Sequence, residues 1–318
     1  MAALAGKRIC VTGGAGFLGR VVCKMLQAEG VSDLFVPRSG EFDLTDPRAV
    51  EAMFDAARPE IVIHLAAEVG GIGANQKRPG RFFYANMAMG LHLIEEARRR
   101  GVEKFVQVGS VCSYPKHCQV PFREEDLWAG YPEETNAPYG VTKRALGTML
   151  EAYRSEYGFN GVYLVPGNLY GPGDNFDLAT SHVIPALIRK FDDAVRRGGR
   201  KVTCWGSGKV SREFLYVDDA AEAIVTAAAV HNDSQPINLG TGREITIAQL
   251  AALIARLCGF DGEIAWDTSR PDGQPRRCLD TSRAADLFSG HARIDLEDGL
   301  HRTLEYWREE LWQLEEMV

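Results

Sequence analysis

Of the ten tyrosines in this chain, only Tyr139 has a lysine four positions later, in Tyr139-Gly140-Val141-Thr142-Lys143. On a helix those two positions share a face, so both groups can point at one ligand. A free tyrosine titrates near pH ~10. A neighbouring ammonium favours the phenolate, which would let Tyr139 exchange a proton with a substrate oxygen near neutral pH. Such a spacing also arises by chance on a solvated helix face. A second feature argues against chance. An apolar run ends in Val108-Gly109-Ser110-Val111-Cys112. Ligands of open parallel sheets bind at the carboxyl ends of strands, which puts the Ser110 hydroxyl where it can hold the same oxygen as Tyr139.

A third feature concerns phosphate. Arg8-Ile9-Cys10-Val11-Thr12 runs into Gly13-Gly14-Ala15-Gly16-Phe17-Leu18-Gly19 and then a helical pattern. Gly13, Gly16 and Gly19 suit a strand that must turn sharply into a helix and leave room for a pyrophosphate at its N-terminus. Between a first strand and a first helix, this loop reads as a dinucleotide site rather than an empty turn. The next strand ends Val36-Pro37-Arg38. NAD-selective sites place an acidic residue there for the ribose 2′-hydroxyl. Arg38 instead suits a 2′-phosphate, so NADP is expected over NAD. Asp43 and Leu44 stand where a loop could meet the adenine edge. Lys143 could hold the nicotinamide ribose.

The elements that must position these groups alternate. Strands are expected at Arg8–Thr12, Leu34–Pro37, Ile61–Leu65, Phe105–Gly109 and Gly161–Val165. Helices are expected at about Arg20–Glu29, Pro47–Ala57, Arg81–Arg100 and Pro138–Tyr157. Nearly all-apolar strands alternating with helices indicate an α/β fold, a doubly wound parallel sheet covered on both faces. After about Gly167 glycine and proline turns multiply and the alternation fades. The expected division is a dinucleotide-binding domain over residues 1–168, rejoined by about 213–236, and a smaller, mainly substrate-binding α/β domain over 169–318. Phe214–Val217 and a helix Asp219–Ala229 are the segments expected to return.

Composition narrows the partners. A net charge of −7 without a long basic run argues against nucleic acid. No apolar run approaches the ~18 residues of a membrane helix. The beginning Met-Ala-Ala-Leu-Ala-Gly-Lys-Arg is expected to carry no signal sequence. Seven cysteines without a Cys-x-x-Cys pair fit neither a disulfide framework nor a zinc site, and suit a reducing cytoplasm. No metal is expected.

Glycine loop, strand-end serine and Tyr/Lys helix occur in the order of a short-chain dehydrogenase/reductase, and the long C-terminal half resembles the extended, nucleotide-sugar branch with its Rossmann-type fold. Longer runs narrow the resemblance. Leu65-Ala66-Ala67-Glu68-Val69-Gly70-Gly71-Ile72-Gly73-Ala74-Asn75 is similar to the segment after the third strand of GDP-L-fucose synthases. So are Cys112-Ser113-Tyr114-Pro115-Lys116, Asn168-Leu169-Tyr170-Gly171-Pro172-Gly173-Asp174-Asn175-Phe176 and Ser181-His182-Val183-Ile184-Pro185-Ala186-Leu187. Arg212-Glu213-Phe214-Leu215-Tyr216-Val217-Asp218-Asp219 and Pro271-Asp272-Gly273 match as well.

The resemblance implies inversion of C3 and C5 of GDP-4-keto-6-deoxy-D-mannose, followed by NADPH reduction of the C4 ketone. A lone cysteine after a strand is more often a small packed residue, and a lone histidine opening a helix more often a cap. With these flanks, Cys112 and His182 match the family's acid/base pair, and both side chains titrate near enough to neutrality to move protons either way. The resemblance adds Phe17, Leu18, Ala66, Ala67, Pro166, Asn168, Leu169 and His182 to Gly13, Gly16, Gly19, Arg38, Asp43, Leu44, Tyr139 and Lys143 at the cofactor. It assigns Lys190, Trp205, Arg212 and Asp272 to the substrate, with Arg189 and Arg276 close by, and implies a homodimer through the helices at Arg81–Arg100 and Pro138–Tyr157. His117 and Cys118 read as loop residues.

Ala15, Phe17, Glu68, Val111, Gly167 and Lys190 depart from common family choices. They leave room for a related 4-keto nucleotide sugar. The rivals are a nucleotide-sugar 4-reductase without inversion, an NAD-dependent 4-epimerase or a dehydratase, and a silent NADP-binding regulator.

Overall fold

The computed structural model of the chain describes residues 4–288 and 292–311. Its strands are β1 (Arg8–Thr12), β2 (Asp33–Phe35), β3 (Ile61–His64), β4 (Lys104–Val108), β5 (Gly161–Pro166), β6 (Asn168–Tyr170), β7 (Lys201–Trp205), β8 (Ser211–Tyr216), β9 (Ile237–Leu239), β10 (Glu244–Thr246), β11 (Glu263–Asp267) and β12 (Arg276–Arg277). The α-helices are α1 (Phe17–Ala28), α2 (Pro47–Ala57), α3 (Ile72–Lys77), α4 (Pro79–Arg99), α5 (Ala137–Tyr157), α6 (Val183–Arg196), α7 (Val217–Val230), α8 (Ile247–Cys258), α9 (Ser282–Leu287) and α10 (Leu296–Tyr306).

Six strands form one parallel sheet in the order β2-β1-β3-β4-β5-β9. Side chains alternate across it. Ile9 and Val11 face the core shared with Val22 and Leu26 of α1 and Ala220 and Ile224 of α7. Cys10 faces the opposite core, built with Met53 of α2, Leu93 of α4 and Leu146 of α5. Helices on both faces explain why the strands read as unbroken apolar runs. The chain passes from β1 out to β2, then returns to lay β3 on the other side of β1. That reversal opens a crevice at the carboxyl ends of β1 and β3, where open α/β sheets take ligands.

A second sheet has the order β10-β8-β12, with β6 also paired to β8, and β7 pairs with β11. Behind them lies a third core, with Phe191 of α6, Leu250 and Ile254 of α8, Leu300 of α10 and Trp307. The expected return of Phe214–Val217 to the first domain is corrected for Phe214–Tyr216, while Val217 opens α7. β8 belongs to the second sheet, whereas α7 packs against α1 and β9 closes the first sheet's edge. Other differences are local. α1 begins at Phe17 rather than Arg20, because the glycine loop turns straight into helix. β2 stops before Pro37, which has no N–H for a ladder. Among the described residues no helix is long and apolar enough to cross a membrane.

Candidate active site

The glycine loop has the form that a pyrophosphate needs. Gly13 adopts φ +72°, and a Cβ there would lie 2.7 Å from the Ala66 backbone nitrogen. A Cβ on Gly19 would run into the Gly13 carbonyl oxygen. These glycines let α1 start tight against β1 and β3. No side chain caps α1, so its first N–H groups are left to an outside acceptor. Beside the loop, Arg38 lines a cleft of about 490 Å³ with Gly14, Ala15, Arg20 and Lys24. Arg20 and Lys24 are cations that sequence reasoning missed; their spacing on one helix face was the available signal. Asp43 is engaged locally, accepting from the Thr45 N–H at 2.9 Å and hydroxyl at 2.7 Å. Leu44 and Pro166 are largely core. Phe17, Leu18, Ala66, Ala67, Asn168 and Leu169 keep part of their surface open.

Ser110 follows β4 and caps a 3-10 turn over Val111–Ser113, its Oγ accepting from the Cys112 N–H at 3.2 Å. Helix α5 presses against this turn at Gly140, where a Cβ would strike the Cys112 carbonyl oxygen. That approach brings Tyr139 beside Ser110, whose hydroxyl is near enough to act on the phenol. Lys143 is buried and donates to the Val108 carbonyl at 3.1 Å. Its ammonium stands 5.7 Å from the Tyr139 ring centre.

Here the electrostatic expectation is corrected. Burial raises the Tyr139 pKa, with Cys112 adding to the rise and the Ser110 hydroxyl opposing it. Lys143 is pushed down to about 8, also by burial. Within this protein environment desolvation outweighs the ammonium, and the phenol is held as an acid.

The Cys112 sulfur faces Arg277, whose Nη1 lies 3.5 Å away. Arg277 is held by Gln274 Oε1 at 2.8 Å, and Gln274 Nε2 donates to the carbonyls of Pro115 and Lys116 at 3.0 Å each. Arg277 is also the register partner of Arg212. Burial, then the Arg277 charge, lowers Arg212 to about 9, so it remains a cation at neutral pH. Among the described residues neither guanidinium has a carboxylate partner within ion-pair distance; Arg212 donates to the carbonyls of Ser211 and Asp272. Arg277 is buried and Arg212 partly so, and although Cys112, Glu133 and Asp272 act on Arg212 from beyond ion-pair distance, two adjacent cations suit an anion. Sequence reasoning placed Arg276 near the substrate and missed Arg277. On β12 neighbours point opposite ways, and Arg276 pairs with Glu244 on the outside.

His182 precedes α6 and makes no side-chain cap. Its N-terminal neighbour packs against the loop after β3, where a Cβ on Gly71 would lie 3.4 Å from the Ser181 carbonyl oxygen. The ring keeps solvent contact, yet the surrounding protein lowers its pKa by desolvation. Among the described residues it has no hydrogen bond to Cys112, Ser110 or Tyr139. Further out, Trp205 is exposed, with the Lys190 ammonium 5.6 Å and the Arg270 guanidinium 4.8 Å from its ring. Lys190 also donates to the Thr203 carbonyl at 3.0 Å. Both Asp272 carboxylate oxygens are taken by Ser207, from its N–H at 2.7 Å and its hydroxyl at 2.8 Å. Asp272 therefore latches the loop after β7. Arg189 is turned toward the Phe176 carbonyl and the Trp307 ring. His117 is exposed, and burial raises the Cys118 thiol to about 11. Among the described residues no cluster of three or more His, Cys, Asp and Glu could hold a metal.

The pattern of the NAD dependent epimerase/dehydratase family matches residues 9–240. A GDP-L-fucose synthase of Sinorhizobium fredii (strain NBRC 101917 / NGR234) is 41% identical, over 95% of this chain and 96% of that protein. Two crystal structures, each 30% identical, align with a TM-score of 0.88. One is a GDP-L-fucose synthetase from Naegleria fowleri bound to NADP, covering 97% of this chain and 95% of that one. The other is a GDP-6-OMe-4-keto-L-xylo-heptose reductase from C. jejuni, covering 95% and 97%.

Proposed function

The chain belongs to the NAD dependent epimerase/dehydratase family, within which it stands with the GDP-L-fucose synthases, and we propose that it is the NADPH-dependent epimerase-reductase that converts GDP-4-keto-6-deoxy-D-mannose to GDP-L-fucose. The observation that carries this reading is the placement of Cys112. Its sulfur stands on the guanidinium side of the turn that also presents Ser110 to Tyr139. A proton-transfer group thus shares a site with an oxygen-holding pair.

NADP fits the crevice through the uncapped start of α1, the glycines that admit a backbone-close ligand, and Arg38 beside the 2′-phosphate position. Bound NADPH supplies the hydride for C4. The chain's own residues do the rest. Arg212 and Arg277 hold the diphosphate, and Trp205 with Lys190 holds the outer part of the nucleotide. Ser110 and Tyr139 donate to the C4 oxygen and stabilise the enolate that forms when a neighbouring carbon loses its proton. Cys112 and His182 act on opposite faces of the ring, one taking a proton and the other returning one. His182, whose pKa the surrounding protein lowers, begins able to accept. Tyr139, kept protonated, ends the reaction by giving its proton to the C4 oxygen as hydride arrives. Lys143 holds the nicotinamide ribose.

Around this site we take residues 1–168 and about 217–236 as the cofactor domain and the rest of 169–318 as mainly substrate-binding. Phe83, Tyr84 and Leu91 on α4 and Tyr157 on α5 are exposed, and an apolar strip on paired helices suits a homodimer, which sedimentation would detect. The cysteines of the described residues are all free, in keeping with a cytoplasmic enzyme.

Product analysis in deuterated water with NADPH and GDP-4-keto-6-deoxymannose tests the reading. Deuterium is expected at C3 and C5. Cys112→Ser and His182→Gln should lose that uptake, and Tyr139→Phe should mainly lose reduction. Normal exchange in both former variants would refute the acid/base pair. The likeness to a GDP-6-OMe-4-keto-L-xylo-heptose reductase favours a second reading, reduction without inversion. A reduced product free of deuterium at C3 and C5 would select it.

A further inference from the structure

Beneath the reactive groups lies a buried polar layer, of which only Lys143 has a role in the steps above. Thr12, His64, Gln107 and Lys143 are each no more than 3% exposed. The first three stand at or near the carboxyl ends of β1, β3 and β4. They are register partners in turn, Thr12 with His64 and His64 with Gln107. His64 Nδ1 is 2.7 Å from Thr12 Oγ1. The same hydroxyl receives the Ala66 N–H at 3.4 Å. Ala66 is the backbone against which Gly13, the residue after Thr12, is pressed in its left-handed conformation. On the other side, Gln107 Nε2 donates to the Val108 carbonyl at 2.9 Å, the carbonyl that also receives Lys143. Gln107 Oε1 is sealed from solvent without a partner. Burial, and then the Lys143 charge, keep the imidazole neutral, with one donor and one acceptor nitrogen.

A buried histidine in a strand could serve packing alone. Its neighbours argue for more. One side of His64 is the pair that fixes the glycine loop; the other side is the carbonyl that fixes the lysine. The layer crosses the point where the sheet order reverses, which is where the crevice opens. We propose that His64 is a positioning residue: through Thr12 it sets the glycine loop in its cofactor-ready form. The proposal rests on the reading of the crevice as an NADP site. Without the imidazole, the Thr12 hydroxyl loses its 2.7 Å partner and is free to turn away from Ala66. Gly13 then loses the fixed surface on which it sits.

The test uses His64→Phe, which keeps a ring and removes both nitrogens, and Thr12→Val, which keeps shape and removes the hydroxyl. NADPH affinity is measured by fluorescence titration, with kcat and KM alongside. Each variant is expected to bind NADPH about tenfold more weakly. The double variant should lose little beyond the worse single one, because both remove the same bond. His64→Asn, which can still meet the hydroxyl, should regain most of the affinity. Affinity within about twofold of wild type for His64→Phe, or losses that simply add, would overturn the proposal. Should His64→Phe not fold, Thr12→Val decides alone, and wild-type affinity there is fatal. Wild-type protein that binds no NADPH would instead overturn the reading of the crevice.

Discussion

Gly140 offers a sharp test of how the reactive groups are set. Its α-carbon lies so close to the Cys112 carbonyl that a methyl group cannot be placed without moving one of the two segments. To regain ordinary contact, α5 and the Val111–Ser113 turn must separate by roughly 1 Å, and a misplacement of that size costs about 10²-fold in rate. Stability should change far less. Alanine inside a helix gains about 1 kcal/mol over glycine, while overpacking costs about 1–3 kcal/mol, leaving a net loss of roughly 0–2 kcal/mol. Gly140→Ala is therefore expected to stay folded at 25 °C while kcat/KM for NADPH-dependent reduction drops about 100-fold. Deuterium uptake should fall with it, since the displaced turn carries Cys112. Steady-state NADPH consumption and a denaturant midpoint measured on one preparation decide the matter. A variant that turns over like wild type would refute the claim that this contact sets Tyr139 against Ser110 and Cys112.

The two neighbouring arginines of β12 should behave oppositely. Arg277→Met is expected to lower kcat/KM at least about tenfold, since it removes a charged donor from the thiol and the anion receptor. Arg276→Met should stay within about twofold, because that side chain pairs with Glu244 outside the site. Asp174 predicts a pH signature. Burial raises its carboxyl to about 7, and Oδ2 has no partner. An acid with a raised folded pKa binds more protons folded than unfolded between pH ~4 and ~7, so its contribution to stability declines across that window as pH rises. Asp174→Asn should match wild type at pH ~3.5 and be more stable at pH ~8, by on the order of 4 kcal/mol at most. Urea denaturation at the two pH values checks this, and a variant destabilised equally at both would exclude it.

Much of this architecture is legible in the chain because it rests on local rules. β1 and α2 follow directly from an apolar run and from a Pro47 start behind the Asp46 cap. The grouping of Ser110, Tyr139 and Lys143 is legible because strand ends and helix spacing fix it. What escapes the sequence depends on contacts between distant segments. Whether Arg276 or Arg277 faces the sulfur turns on the register of a two-residue strand. Asp272 reads as a substrate ligand, and the sequence does not show that Ser207, 65 positions away, donates to both its oxygens. The Tyr139 pKa was misjudged because a charge four residues away is visible in a sequence and burial is not. His64 and Gln107 look like strand filler until parallel pairing sets them side by side.

The passage from β8 to α7 carries a consequence for anyone reshaping this enzyme. Tyr216 ends a strand of the small sheet and Val217 begins a helix of the large one, with no spacer between them. Only Gly167 separates β5 from β6, where the chain crosses in the other direction. Grafting a foreign small-sheet half onto the half built on the six-stranded sheet would thus require seams at several crossings between the two sheets. Exchange of individual loops, such as the one latched between Ser207 and Asp272, is the practicable route to a new specificity.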